Sequence, residues 1–300
     1  MLRDLAPLLH PIRRTMIGSY PNLTELELAD RPQLEPLFRE LRDGLSELSF
    51  AGIYCFRASH AYRIGRLADG TYLLAGADKG NPFFICPFAL PRPDLLAELF
   101  LRFSGMKLVT EAQAAELGRA GYEVSEDRDN FDYIYRREDL AALRGRALQR
   151  KRNLVHAFEK RHTYEAYELA TDRVGDALAV LETWRENARD QADWAPAREA
   201  LEHASEFELH GRVYYVEGKP AGYTLGEEAR AGTMFVVHYE KTVPDMKGLY
   251  QVINMDFVRS LPQTVTLINR EQDLGDPGLR QAKITYRPSD FVKKYRARVA

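Results

Sequence analysis

The stretch from residue 212 to residue 268 constrains the fold more than any other part of the sequence. Two runs rich in β-branched and aromatic residues flank the turn Glu217-Gly218-Lys219-Pro220, which predicts a β-hairpin. The elements predicted here are strands at 212–216, 221–226, 233–240 and 265–268, with a helix at 248–260. Antiparallel strands, then a helix that leads to a last strand, predict a mixed sheet with a helix packed on it.

The rest of the chain carries the same mixture. Helices are predicted at 34–48, 93–104, 111–120, 171–187 and 196–207, and strands at 52–57, 71–75, 81–88, 107–110, 133–135 and 283–286. A length of 300 residues exceeds one average domain. We therefore predict an α/β (α+β) protein with mixed sheets flanked by helices and two domains, residues 1–145 and 146–300.

A basic stretch, residues 136–161, lies at this predicted boundary. It contains nine Lys or Arg residues against three acids and is predicted to form a helix over 145–158. Lys151, Arg152 and Asn153 are candidate substrate-binding residues, because a basic helix can hold tRNA phosphates or an anionic lipid surface. A solvated helix paired with nearby acids is the alternative.

The overall composition excludes several classes of protein. The net charge of −2 argues against a general nucleic-acid coat protein. Cys55 and Cys86 have no metal-ligand spacing, so we expect a reduced pair, with a disulfide left open. No metal motif is present, and no run approaches the ~20 apolar residues of a membrane span. We expect a cytoplasmic protein without a metal, with peripheral membrane contact left open.

Several segments together resemble one family. They are Asp132-Tyr133-Ile134-Tyr135, Lys151-Arg152-Asn153, His238-Tyr239-Glu240-Lys241, Lys247 to Asn254, Asn269 to Gly275, Gly278 to Lys283 and Tyr286-Arg287-Pro288. In this order and spacing they resemble the C-terminal portion of phosphatidylglycerol lysyltransferases, over roughly residues 20 to 296.

The resemblance implies two tandem GCN5-like N-acyltransferase domains, as in Fem-type aminoacyl transferases. In the membrane relatives this unit moves an aminoacyl group from a charged tRNA to a phosphatidylglycerol hydroxyl. This sequence contains no multi-span membrane half, which predicts a soluble stand-alone member with an open choice of acceptor.

The segment after the predicted strand at 265–268 carries the first candidate catalytic residues. Glu271 and Asp273 are candidates for a general base or for binding an ammonium group. Asn269, Arg280 and Lys283, from the same motif, are candidate substrate-binding residues. The alternative for the two acids is ion pairing with these neighbouring cations.

A second group of candidates lies on the strand at 233–240 and on the helix that follows. His238 and Glu240 alternate with apolar neighbours, so both are predicted on one face, His238 as a proton carrier and Glu240 as a substrate ligand. Tyr250 and Asn254 share a helix face, Tyr250 as a general acid and Asn254 as a substrate ligand. The alternative for His238 and Tyr250 is ordinary structural packing.

The loop at 242–249, with Lys247 and Gly248, is the candidate site for donor phosphates at the start of the helix. It is less glycine-rich than a full phosphate loop. We therefore predict an acyl- or aminoacyl-transferase whose donor is aminoacyl-tRNA or acyl-CoA. The alternative is a non-catalytic module that binds RNA or an anionic lipid surface. The sequence leaves the oligomeric state open.

Overall fold

The chain forms two β-sheets with helices packed against them. The structure, a computed structural model, describes residues 17–188 and 191–300. The strands, in chain order, are β1 (Thr24–Glu25), β2 (Arg63–Arg66), β3 (Tyr72–Asp78), β4 (Asn81–Ile85), β5 (Met106–Val109), β6 (Glu123–Glu126), β7 (Asp132–Arg136), β8 (Tyr164–Glu168), β9 (His210–Val216), β10 (Lys219–Ala229), β11 (Met234–Thr242), β12 (Leu267–Asn269), β13 (Asp290–Val292) and β14 (Tyr295–Arg298).

The helices lie between these strands. They are α1 (Arg31–Arg39), α2 (Phe50–Cys55), α3 (Arg57–His60), α4 (Pro93–Arg102), α5 (Glu111–Arg119), α6 (Arg137–Ala142), α7 (Gln149–Glu159), α8 (Val174–Asn187), α9 (Trp194–Glu202), α10 (Leu249–Ser260) and α11 (Pro277–Ile284). Short 3-10 turns occupy Leu28–Asp30, Arg128–Asn130 and Thr171–Arg173.

Each sheet mixes antiparallel and parallel neighbours. Within the described residues the first sheet has the order β1-β2-β3-β4-β5-β14-β6, and the second β13-β7-β12-β11-β10-β9-β8. The predicted hairpin is confirmed as the antiparallel pair β9–β10. Strand β11 then pairs with β12 in parallel, and α10 joins them. A parallel pair needs such a crossover, which explains the order of elements seen in the sequence.

Two strands each lie in the sheet that is otherwise formed by the other half of the sequence. β7, although it comes before residue 145, lies in the second sheet between β12 and β13. β14, near residue 300, lies in the first sheet between β5 and β6. The division at residues 145 and 146 stays a prediction, and the two sheets are tied together by these two strands.

The apolar core is continuous across the two halves. One cluster joins Phe50 and Tyr54 of α2 to Phe207, Val180 of α8 and Tyr223 of β10, all buried. Burying a large apolar side chain contributes roughly 1.5–3 kcal/mol relative to leaving it in water. This shared cluster therefore holds the first-half helix α2 on the second sheet.

Three sequence-based predictions of secondary structure depart most from the structure. The predicted strand at 52–57 is helix α2 with the start of α3, because the side chain of Ser49 caps it by accepting a hydrogen bond from the Gly52 amide at 2.9 Å. The predicted helix at 34–48 ends at Arg39, and Gly44 beyond it has a left-handed φ of 78°.

The third wrong prediction is the strand at 283–286, whose first two residues belong to α11 instead. Asp276 caps this helix through the Leu279 amide and Pro277 begins it. The helix is followed by a turn in which Arg287 has a φ of 60°. The cap at Asp276 and the proline after it decided the local structure.

Candidate active site

A cavity of about 800 Å³ lies between the two sheets. Its second-sheet wall includes His238 and Glu240 of β11 and the loop after β12, and its first-sheet wall includes α2, α3 and β5. The residues that line the cavity come from both halves of the sequence. A ligand bound there would therefore contact residues that are far apart in the chain. Pockets of this size accommodate small organic groups.

His238 is clamped between two carboxylates at the cavity wall. Its Nδ1 lies 2.7 Å from Oε1 of Glu271, and its Nε2 lies 2.8 Å from Oε1 of Glu227. Burial acts to lower the pKa of His238, but the hydrogen bonds with Glu227 and Glu271 outweigh it and raise that pKa to about 10. The ring is therefore an imidazolium at neutral pH, and the three side chains together carry one net negative charge.

The backbone aims Glu271 into the cavity. Glu271 has a left-handed φ of 55°, a conformation that costs a non-glycine residue free energy and is concentrated at functional sites. The buried side chain of Asn269 holds this turn by accepting a hydrogen bond from the Glu271 amide at 2.8 Å, while its own amide group donates to Asp132 and to the Gly44 carbonyl. Asn269 thus positions Glu271 and does not line the cavity.

Next to this cluster the wall is cationic. Arg270 pairs with Glu240 at 3.0 Å, and Asn254 lies against the same carboxylate. Burial lowers the pKa of Lys283 to about 8, and its ammonium group donates to the carbonyls of Arg270 and Gln272.

Lys151 completes this cationic wall. It lies with Nζ 4.1 Å from the centre of the Tyr286 ring, and burial, with the neighbouring Arg270 and Arg150, lowers its pKa to about 8. Among the described residues Lys151 lies over an aromatic ring and Lys283 donates to two backbone carbonyls, and neither has an ion pair with a carboxylate. Both ammonium groups are therefore available to an anionic or carbonyl oxygen of a ligand.

Tyr250, in the first turn of α10, lies where the cavity meets a surface groove. The groove has a volume of about 450 Å³ and is lined by Trp184 and by the loop that contains Lys247. Burial raises the pKa of Tyr250, so its hydroxyl keeps its proton at neutral pH. Gly248 begins the helix with a φ of 105° and packs on the Leu154 carbonyl, which is a structural position.

Other sequence candidates lie outside the cavity. Asp273 is fully buried and receives hydrogen bonds from Arg280 at 2.7 and 2.9 Å, from Tyr133 and from the Gly275 amide. Burial opposes its ionisation, but these donors hold the pKa of Asp273 well below its usual range. Asp273 and Arg280 thus form an ion pair, which was the alternative to a catalytic role for Asp273. The pair stabilises the loop behind Glu271.

Two residues of the basic helix also lie away from the cavity. Arg152 donates to the carbonyls of Leu143 and Gly145, which satisfies the end of α6, and Asn153 is exposed. Of the three candidates on α7, only Lys151 reaches the cavity.

Sequence reasoning missed several residues in or next to the cavity. Glu227 carries no motif, although it lies opposite Val236 in the β10–β11 ladder and so diagonal to His238. Glu47 is a second missed carboxylate, held by Lys294 and by Gln272 at 2.7 Å. His60, with its partner Asp78, is a third missed group. Glu47 and His60 line the cavity, and Glu227 lies beside it against His238. Only the folded chain brings these residues, which come from separate elements, to one site.

The arrangement of motifs on this site matches one known family. The family model described as "Phosphatidylglycerol lysyltransferase, C-terminal" matches residues 38–298. The chain belongs to this family.

Several solved structures share the fold of this chain. A conserved protein of unknown function from Bacteroides thetaiotaomicron is 26% identical, with a TM-score of 0.83 over 93% of this chain and 99% of that chain. L-PGS from Bacillus licheniformis is 14% identical, with a TM-score of 0.62 over 95% and 94%. A tandem GNAT protein from the clavulanic acid biosynthesis pathway is 11% identical, with a TM-score of 0.51 over 92% and 97%. The predicted tandem GCN5-like acyltransferase fold is therefore confirmed.

Outside solved structures, the chain is 26% identical over 188 residues to an uncharacterised protein of Mycoplasmoides gallisepticum. The matched region is 59% of this chain and 58% of that protein, so the chain spans little more than half of that relative.

In this member of the phosphatidylglycerol lysyltransferase C-terminal family, no helix within residues 17–188 and 191–300 is long and apolar enough to cross a bilayer. The same residues contain no cluster of three or more His, Cys, Asp or Glu placed to hold a metal ion. Cys55 and Cys86 are buried and not bonded to each other, and burial raises the pKa of Cys86 to about 12. Cys86 is a packing group in this fold, and Cys55 of α2 lies at the cavity.

Proposed function

We propose that this protein transfers an aminoacyl group, carried by a tRNA donor, to an acceptor bound in the cavity between the two sheets. The observation that carries the proposal is the Glu227–His238–Glu271 cluster, in which two carboxylates contact one histidine and His238 and Glu271 line the cavity. The family assignment and the tandem acyltransferase fold support the reaction class. An acyl-CoA donor is the second candidate.

The charge of the cluster favours an aminoacyl donor over a plain acyl donor. A buried carboxylate binds an ammonium group strongly when the cluster to which it belongs has one more negative than positive charge. Glu271 keeps a side-chain exposure of 25% toward the cavity, whereas His238 is nearly enclosed. The α-ammonium group of an aminoacyl ester would bind Glu271, which a simple acyl thioester does not require.

The cationic wall would stabilise the oxygen of the carbonyl group that reacts. Acyl transfer builds negative charge on the carbonyl oxygen, and preorganised donors stabilise it. The Lys283 ammonium has three N–H groups and gives two of them to backbone carbonyls, so one is left to bind that oxygen. Lys151 lies in the same wall and would hold a neighbouring phosphate or ester oxygen.

Tyr250 would serve the leaving group in this proposal. It lies between the cavity and the groove that contains the loop before α10, which is the route by which a long donor would enter. With its pKa raised by burial, the tyrosine would donate its proton to the departing ribose oxygen. An aminoacyl-tRNA donor would also place the reaction in the cytoplasm.

The test is transfer from a panel of donors. Purified protein is incubated with total tRNA charged with each radiolabelled amino acid, and separately with acetyl- and palmitoyl-CoA, and loss of label from each donor is followed. We expect loss from at least one aminoacyl-tRNA and a fall of ~10- to 100-fold in Glu271→Gln, because the charged contact with the donor ammonium is lost. Glu228→Gln is the matched control, because Glu228 is the exposed neighbour of Glu227 on β10.

Each outcome has a meaning for the proposal. If only acyl-CoA is turned over, the donor is acyl-CoA and not aminoacyl-tRNA. Tight, salt-sensitive RNA or vesicle binding without turnover of any donor would replace the enzyme with a binding module. Equal activity of Glu271→Gln and Glu228→Gln would remove Glu271 from the site.

A further inference from the structure

Among the described strands, the chain passes from one sheet to the other twice, and a buried ion pair lies where it does so. β6 of the first sheet leads to β7 of the second, and β13 of the second leads to β14 of the first. Asp132 is the first residue of β7, and Lys294 lies between β13 and β14. Nζ of Lys294 lies 2.7 Å from Oδ1 of Asp132, and neither side chain is exposed to solvent. The pair therefore links the two crossings.

The ion pair belongs to a network in which each charged group has several partners. The Lys294 ammonium also donates to Oε2 of Glu47 at 2.5 Å. Burial acts to lower the pKa of Lys294, but Asp132 and Glu47 outweigh it and raise that pKa, so the ammonium stays charged. The two oxygens of Asp132 accept hydrogen bonds from the amide and the hydroxyl of Ser46, both at 2.9 Å. A buried network with satisfied partners holds its members in one arrangement.

One branch of this network reaches the backbone of Glu271 through Asn269. Nδ2 of Asn269 donates to Oδ2 of Asp132 at 3.1 Å, and Oδ1 of Asn269 accepts the hydrogen bond from the Glu271 amide. Two hydrogen bonds therefore join Asp132 to the left-handed turn at Glu271. Because a non-glycine residue keeps such a conformation only where its surroundings enforce it, this branch bears on where the Glu271 side chain lies.

A second branch reaches the same loop from the other side. Gln272, the residue after Glu271, donates to the Ser46 hydroxyl at 3.0 Å and to Oε1 of Glu47 at 2.7 Å. Ser46 and Glu47 line the cavity from the first half of the chain, whereas Glu271 and Gln272 line it from the second. The network therefore holds Glu271 through both Asn269 and Gln272, and it ties this loop to the first half of the chain.

We propose that the buried Asp132–Lys294 pair positions Glu271 against His238 in the cavity wall. Neither Asp132 nor Lys294 lines the cavity, so both act through other residues and contact no ligand. The inference deepens the proposed transferase function and rests on it in one respect, because Glu271 is the group that would bind the ammonium of the donor. Without the pair, the loop would relax from its left-handed turn, and Glu271 would leave its contact with Nδ1 of His238.

The pKa of His238, measured by NMR, reports the position of Glu271, and the sign of its change separates two effects. Lys294→Met removes a positive charge, which by electrostatics alone would raise the pKa of His238. Withdrawal of Glu271 instead removes one carboxylate partner and lowers that pKa. We expect a fall of about 1 in Lys294→Met. Lys293→Met, which changes the exposed neighbour, is the control and should leave the titration unchanged.

Ser46→Ala is the milder variant, and it decides if Lys294→Met does not fold. It removes the hydroxyl that joins Asp132 to Gln272 and keeps every charge of the network, so electrostatics alone predicts no change. We expect the pKa of His238 to fall by about 0.5. Ser260→Ala is the matched control, since the Ser260 hydroxyl donates to the carbonyl of Phe257 and lies outside the cavity.

Donor selectivity provides a readout that a general loss of stability would not move. The aminoacyl-tRNA that the wild type uses is compared with the same tRNA acetylated on its amino group, which has no ammonium. We expect the wild type to prefer the free amine by ~10-fold or more, and Ser46→Ala and Lys294→Met to lose most of that preference. Lys293→Met and Ser260→Ala should keep it.

The outcomes separate this inference from the proposed function. If the pKa of His238 is unchanged or raised in the folded variants, or if Ser46→Ala slows both donors by the same factor, the pair does not position Glu271, and the transferase function stands. If the wild type uses no donor, or uses both donors alike, the proposed function or its ammonium contact is wrong. The titration of His238 then decides the positioning by itself.

Discussion

Nδ1 of His238 lies 2.7 Å from Oε1 of Glu271, and the other ring nitrogen meets Glu227, so a cation sits between two carboxylates at the cavity wall. The folded pKa of about 10 lies above the ordinary value of about 6.5. The stability that this histidine contributes is therefore fully present below pH about 6.5 and is lost as the pH rises toward 10.

The first prediction concerns the source of this elevated pKa. In Glu271→Gln, the pKa of His238 should fall by about 1–2, because one of its two anionic partners becomes neutral. NMR titration of the imidazole signals measures it. Glu228→Gln is the control and should leave the titration in place. A pKa unchanged in Glu271→Gln would mean that Glu227 alone determines the charge of His238.

The second prediction concerns Asp273, which we assign to structure. Asp273→Asn should lower the free energy of unfolding by about 2 kcal/mol at pH 7, because the charged hydrogen bonds from Arg280 are lost. The folded pKa is depressed, so this contribution is present above pH about 4 and is lost as the pH falls below it.

Urea unfolding at pH 7, 5 and 3 measures the difference between wild type and Asp273→Asn, which should shrink at pH 3. Asp43→Asn, at an exposed position, is the control and should have little effect. A difference that stays constant across this range would contradict the assignment.

The third prediction concerns Lys294, which is fully buried between Glu47 and Asp132. Lys294→Met should destabilise the protein by about 3 kcal/mol or more, because it leaves two carboxylates together without a counterion. The pKa of Lys294 is raised, so its contribution holds below pH about 10.5 and is lost above it.

Thermal unfolding of Lys294→Met and of the double variant Lys294→Met/Asp132→Asn measures this effect. The double variant should regain part of the loss. Lys293→Met is the control, since Lys293 is its exposed neighbour. If the single and double variants unfold alike, the carboxylates do not repel each other as we infer.

The fourth prediction concerns the glycine that begins α10. Gly248→Ala should destabilise the protein by about 2 kcal/mol or more, because a β-carbon would lie 2.7 Å from the Leu154 carbonyl at a φ of 105°. Gly118→Ala is the contrasting variant, because Gly118 lies in α5 with nothing within 4 Å of an added carbon. It should gain about 0.5–1 kcal/mol. Chemical denaturation of both variants tests the pair.

The sequence predicted those parts of the fold that depend on local signals. The hairpin β9–β10 follows from the turn at 217–220, and α10 from its helical spacing of apolar residues. Helix α2 escaped prediction because every face of it is buried, so Phe50, Ile53 and Tyr54 form no amphipathic period. Composition rich in β-branched and aromatic residues then favoured a strand.

The sequence predicted residues on only one wall of the site. Glu271 and His238 came from one family motif each, and they do meet in space. Glu227, Glu47 and His60 lie in segments without a motif, and their proximity depends on sheet register and on how the two halves pack. Asp273 shares the motif of Glu271 but faces the opposite way, because the left-handed backbone at Glu271 turns the loop between them.

The position of β14 also has a consequence for how the protein is made. On the ribosome β6 emerges long before residues 295–298, yet β14 is the strand to which it is hydrogen-bonded in the sheet. The first sheet therefore stays incomplete until the second half has been synthesised. Loss of residues 295–298 by proteolysis would consequently damage the half of the molecule that was translated first.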